Sequence, residues 1–244
     1  MGGWGTGKRE EIARPTFVHS PFQMHQVDAD TRGYRLATAV SYVVNPLILP
    51  PIGFGLVLWH FGAGAPEIRN GVGAGLVFFF LLPLLYVALM VRRGEAATLE
   101  VRSQQARTRP FLVGIVSYVI GVAFLWMILQ TARPLMLALA AIYPINTALV
   151  ALINLRLKIS VHVASIAGFF AGLFFVAQMS WNVPTIDVLT TATVASWALL
   201  IPVVMWARVR SGAHTPGQVV GGAIFGFGMT LAQLFVAVSA FSSM

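Results

Sequence analysis

The sequence predicts an all-α, polytopic membrane helix bundle of about seven transmembrane helices, on three observations. Of 244 residues, 57% are hydrophobic and only 10% are charged, where a soluble domain carries about 25%. A soluble protein of this size needs a polar skin, and this composition cannot supply one. The apolar residues also gather into seven runs near the length of about 20 that crosses a hydrocarbon layer about 30 Å thick. The cations, finally, fall at alternate ends of those runs.

The runs are 36–59, 71–91, 111–129, 134–155, 162–179, 186–206 and 216–241. Pro46, Pro50 and Pro51 lie inside the first; they would break a soluble helix, but in a bundle neighbouring helices can satisfy the freed carbonyls. Pro144 is expected to kink the fourth. Gly168/Gly172 and Gly222/Gly226 are small residues four apart on apolar helices, a pattern for close helix packing. Trp59, Trp126, Trp181 and Trp206 sit near span ends, where an aromatic belt is the ordinary reading. Loops are short and no repeat stands out. Residues 1–35 read as a polar N-terminal tail without the apolar run of a cleaved signal peptide, and 36–244 as one transmembrane domain.

Seven spans put the two termini on opposite sides. The N-terminal side collects Lys8, Arg9, Arg14, Arg32, Arg35, Arg92, Arg93, Arg102, Arg107, Arg109, Arg156, Lys158, Arg208 and Arg210, against Arg69 and Arg133 on the other, a division of 14 to 2. Cytoplasmic loops carry the excess of Lys and Arg, so the N-terminal side is expected to be cytoplasmic. The net charge of +8 therefore reads as topology, and nucleic acid is not an expected partner. With no cysteine, disulfide, zinc–thiolate and cysteine-nucleophile chemistry are excluded.

Chemistry concentrates on the cation-rich side. Of five histidines, His19 and His25 belong to the tail and His60 ends the first span on the far side. His162 opens the fifth span just after Lys158 and Ser160. His214 precedes the seventh, after Arg208 and Arg210 and before Thr215-Pro216. The plain reading is an interfacial histidine beside positive-inside cations, twice. Two such histidines at one depth also fit phosphoryl transfer, which needs cations for the equatorial oxygens, a nucleophile and an acid for the leaving oxygen. Arginine offers bidentate donors, and histidine can be nucleophile or acid near neutrality. Ser160 is placed to cap the fifth helix, and Thr215-Pro216 reads as a cap with proline in the first helical turn. No carboxylate cluster for a metal accompanies them, so neither metal nor cofactor is expected.

The segments Arg102-x6-Arg109-Pro110, Ile159-Ser160-Val161-His162 and Ala207-Arg208-x5-His214-x3-Gln218 resemble the three motifs of the type 2 phosphatidic acid phosphatase superfamily: Lys-x6-Arg-Pro, Pro-Ser-Gly-His and Ser-Arg-x5-His-x3-Asp. The resemblance spans residues 102–218. Ser41-Tyr42-Val43-Val44-Asn45-Pro46-Leu47 is similar to a divergent bacterial branch of the same superfamily. The resemblance implies that His214 is the nucleophile forming a phosphohistidine and His162 the acid for the leaving group. It implies that Arg102, Arg109 and Arg208 hold phosphate, with Ser160 as a further donor. Departures are Arg102 for lysine, Ile159 for proline, Val161 for glycine, Ala207 for serine and, most consequentially, Gln218 for the aspartate that orients the nucleophilic imidazole.

The function so implied is a membrane phosphatase hydrolysing a lipid phosphate or polyprenyl (di)phosphate in a bacterial inner membrane. Its partners would be membrane lipids and an amphiphilic phosphate substrate. The alternative is a catalytically weak or inactive subunit or scaffold of a membrane complex, partnered by other membrane subunits and favoured by Gln218 and Val161. A small-molecule carrier is a weaker third reading, because no charged residue falls at the middle of a span. The sidedness is testable in this cysteine-free chain. Single cysteines at Ser103, Ser211 and Ser243 in intact cells should give impermeant-reagent labelling at position 243 only; labelling at 211 would invert the topology.

Overall fold

A computed structural model describes residues 32–96, 108–179 and 188–242. Among these, every regular element is helical and there is no strand. The helices are α1 (Arg32–Val43), α2 (Leu49–His60), α3 (Ala65–Ala74), α4 (Leu82–Arg92), α5 (Thr108–Ile128), α6 (Arg133–Asn154), α7 (Val161–Met179), α8 (Thr191–Trp197), α9 (Leu200–Arg210) and α10 (Pro216–Ser242). Taken together across their short breaks, they give seven helical stretches long and apolar enough to cross a membrane. Their outward faces are apolar, with Leu112, Val116, Met127, Ile224, Phe235 and Val236 all more than half exposed. Water would not tolerate so continuous an apolar surface, and lipid requires it. The chain is an integral membrane protein.

The prolines of the first span do not sit inside one helix. The chain leaves α1 at Val43 and makes a 3-10 turn over Pro46–Ile48, with the Asn45 side chain accepting the Leu47 N–H at 2.9 Å. It restarts as α2 with Pro50 and Pro51 in the first turn, where a missing N–H costs nothing. The second span is continuous but widens: α3 passes through a π-helical segment, Gly75–Leu81, into α4. In that wider register Pro83 would have bonded the Phe78 carbonyl, and it cannot. The Ser117 hydroxyl of α5 donates to that carbonyl instead, at 2.6 Å, which is how a membrane helix keeps a proline. The sixth span is likewise split between α8 and α9, since Pro202 cannot donate to the carbonyl of Ala198 four residues earlier. Pro144, by contrast, lies within a continuous α6.

The expected tail boundary moves slightly, because α1 begins at Arg32; residues 1–31, with His19 and His25, lie outside the described residues. The bundle centres on α7, two thirds of whose span is buried, against 22–39% for the other six. Its principal neighbour is α10. A Cβ at Gly222 would come within 2.7 Å of the Ser160 carbonyl oxygen, and one at Gly226 would overlap the carbonyl of Ala164. Backbone therefore lies directly on backbone, as the small-residue pattern predicts. An aromatic cluster fixes the other side of α2. Phe79 stacks on Tyr118 at 5.1 Å and meets Phe54 edge-on at 5.2 Å, with Tyr143 of α6 against Phe79 at 5.5 Å.

Gly226→Ala should cost at least about 3 kcal/mol through overpacking against fixed backbone and lower the melting temperature of the detergent-solubilised protein. Gly228→Ala, whose added methyl meets nothing within 4 Å, should be neutral or stabilising by up to about 1 kcal/mol. Equal effects of the two would mean that α7 and α10 are not in backbone contact.

Candidate functional site

Two local motifs place His214. Helix α9 ends on Gly212 at φ 66°. The Gly212 N–H donates to the Val209 carbonyl at 3.0 Å and the Ala213 N–H to the Arg208 carbonyl at 3.1 Å. This is a Schellman end, which needs glycine at the left-handed position. The His214 N–H also donates to the Arg208 carbonyl, at 3.2 Å, so histidine and arginine are tied together at the helix end. Helix α10 then starts with a capping box: the Gln218 N–H donates to Thr215 Oγ1 at 3.4 Å, and the Thr215 N–H donates to Gln218 Oε1 at 3.3 Å.

Gln218 Oε1 has a second task, 2.9 Å from His214 Nδ1. Because the Thr215 backbone N–H can only donate, the amide atom it meets is oxygen. An oxygen there accepts from Nδ1, so Nδ1 carries a proton, and in the neutral ring it is Nε2 that keeps the lone pair. Glutamine thus does what an aspartate would do for the tautomer, without the charge.

The second histidine is brought by α7. Ser160 caps that helix through its hydroxyl, accepting the Val163 N–H at 3.5 Å. The Ser160 N–H donates to the Gln218 carbonyl at 3.1 Å. The glycine-lined α7–α10 contact and this bond fix the start of α7 against the start of α10. Lys158 spans the same junction, its Nζ donating to the Ala213 carbonyl at 3.4 Å.

His162, Arg208 and His214 all line one cavity of about 240 Å³. Arg208 is 2% exposed and His214 7%. Ser41, Tyr42 and Asn45 from the broken first span complete the polar wall, with Thr147 of α6 and Ser165 of α7. Among the described residues no Asp or Glu lines the cavity. The buried Arg208 guanidinium, in a wall without acids among the described residues, presents a positive field to whatever enters beside the two imidazoles.

The remaining sequence-predicted residues fall elsewhere. Arg109 is 74% exposed and pairs with Glu95 at 3.4 Å. It does not line the cavity, although Pro110 and Phe111, the next two residues, do. Ser160 is fully buried as the α7 cap and is not part of the cavity wall. Arg102 and Arg107 lie outside the described residues. His60 ends α2 at the far side, edge-on to Phe61 at 5.2 Å. Residues that the motifs do not contain are Ser41, Asn45 and Ser165. The Asn-Pro pair at 45–46 signals the break that brings the first two in, and Ser165 stands one helical turn below His162.

The chain matches no family model, and no curated protein and no solved structure is significantly similar to it.

Proposed function

We propose that this protein is a membrane phosphatase that releases phosphate from an amphiphilic phosphate ester through a phosphohistidine, in keeping with its resemblance to the type 2 phosphatidic acid phosphatases. The observation that carries the reading is the shared acid-free cavity of His162, Arg208 and His214, with the His214 proton directed to Nδ1 by Gln218.

In this mechanism the Nε2 lone pair of His214 attacks phosphorus in line with the leaving oxygen. Arg208 neutralises the equatorial oxygens, and protonated His162 gives its proton to the leaving alkoxide, releasing an alcohol. Neutral His162 then takes a proton from water, which attacks phosphorus and expels His214 as free imidazole with inorganic phosphate as product. The positive phosphohistidine lacks the stabilising carboxylate that an aspartate at position 218 would give, so turnover is slow. The 14-to-2 cation distribution supports a cytoplasmic site, and the bacterial branch of the resemblance supports a bacterial inner membrane. The second reading, a non-catalytic subunit or scaffold, is favoured by the uncharged Gln218 and by Val161 where the motif has glycine.

Phosphate release from lipid and alkyl phosphates by the purified protein tests both. His214→Ala should abolish it by at least about 10³-fold, and His162→Ala should slow it by about 10²-fold or more. Gln218→Glu keeps the reach to Nδ1 and to the Thr215 N–H while adding a charge, and should raise the rate about tenfold, or 1.36 kcal/mol. Gln218→Asp should gain less, because it is a methylene shorter. Activity should withstand a metal chelator, since arginine and histidine supply the positive charge. Slower turnover in both acidic variants would overturn the assigned role of Gln218. Absence of phosphate release from every variant and substrate would leave the scaffold reading.

A further inference from the structure

The first span reaches the cavity because it is broken. Ser41 lies in the last turn of α1 and Asn45 caps the 3-10 turn that follows. Both line the cavity of His162, Arg208 and His214. Among the described residues Arg208 is the one arginine or lysine in that wall. Arg109, the further cation that the motif offers, is exposed and paired with Glu95. A phosphate monoester brings about two negative charges and three strong acceptor oxygens. One guanidinium therefore leaves acceptors to be met by other donors.

Ser41 is such a donor. It is 2% exposed, and its Oγ has no hydrogen-bond partner. A serine inside a helix can turn its hydroxyl back to the carbonyl four residues earlier. Ser196 does so with Ala192 at 3.1 Å, and Ser239 with Phe235 at 2.8 Å. Ser41 does not do so with Ala37. A buried hydroxyl left in this way destabilises the fold by its desolvation, and alanine would remove that penalty while favouring the helix. Asn45 is a second donor. Its Oδ1 accepts the Leu47 N–H at 2.9 Å. A backbone N–H can only donate, so the atom it meets is oxygen, and the other amide atom is a nitrogen with two hydrogens to give.

We propose that Ser41 Oγ and Asn45 Nδ2 donate hydrogen bonds to the phosphoryl oxygens of the ligand held by Arg208, so that the broken first span supplies what the exposed Arg109 does not. The unpartnered hydroxyl carries the inference, because it is a stability penalty that only a ligand's acceptor offsets. Neutral donors suit the place. A hydrogen bond to a charged oxygen is about twice as strong as one between neutral groups, and it adds no further buried charge to desolvate. The proposal rests on the anion-binding reading above, but not on turnover.

The test measures binding of inorganic phosphate and of octylphosphonate, whose C–P bond resists hydrolysis, to the full-length protein in nanodiscs by titration calorimetry. Melting temperature without ligand and phosphate release from octyl phosphate are read in parallel. Ser41→Ala should weaken both ligands about tenfold, while the melting temperature holds or rises. Asn45→Ser keeps an oxygen to cap the turn and removes the amide, and it should weaken both by a similar factor. Thr38 supplies the control: its Oγ1 is also buried without a partner, one turn earlier on α1, but it is not part of the cavity wall. Thr38→Val should leave both affinities unchanged. Weaker binding in Ser41→Ala and Asn45→Ser, with no phosphate release from any substrate, would sustain the donors and sink the phosphatase reading. Phosphate release with affinities unmoved by either substitution would overturn the donors and leave that reading standing. No phosphate binding by the wild type, or an equal loss in Thr38→Val, would also overturn the proposal. So would a loss confined to octylphosphonate, which would put the two groups on the alkyl side of the ligand.

Discussion

Contact between the backbones of α7 and α10 is the constraint on which the site depends. Gly222 and Gly226 lie against the carbonyls of Ser160 and Ala164 with no room for a side chain. The Ser160 N–H closes the junction by donating to the Gln218 carbonyl. In lipid there is little hydrophobic gain from pressing two helices together, so van der Waals packing and interhelical hydrogen bonds must suffice. That contact sets the two helix starts side by side, and the two histidines belong to those starts. Were α10 displaced outward by one side chain, His162 and His214 would no longer share a cavity wall.

Within that frame His214 is held by local bonds at both ends. The Schellman end of α9 fixes its backbone to Arg208, and the capping box of α10 fixes its ring through Gln218. One amide oxygen serves both the helix start and the imidazole. A site built on helix ends in this way is rigid without a charged orienting group. The cost falls on the chemistry, because an imidazolium or phosphohistidine cation at position 214 has no nearby anion from Gln218 to stabilise it.

The seven spans were legible because membrane crossing is a one-dimensional property: apolar length and cation placement can be counted along the chain. Helix breaks were legible only in part. Asn45-Pro46 and Pro50-Pro51 carry the signature of a capped restart, yet interior prolines in a membrane helix give the same pattern, and only packing separates the two. Thr215-x-x-Gln218 is a capping-box pattern in the sequence, and comparison of Gln218 with an aspartate alone conceals it. The exposure of Arg109 and its pairing with Glu95 are tertiary facts that no motif encodes.

Detection of the covalent intermediate bears most directly on the chemistry. Brief exposure of the purified protein to an alkyl phosphate, followed by an alkaline quench and peptide mapping, should place a phosphoryl group on His214. The modification should be absent in His214→Ala. Phosphate release with no phosphoryl group at His214, or with the group on His162, would contradict the assignment of nucleophile and acid.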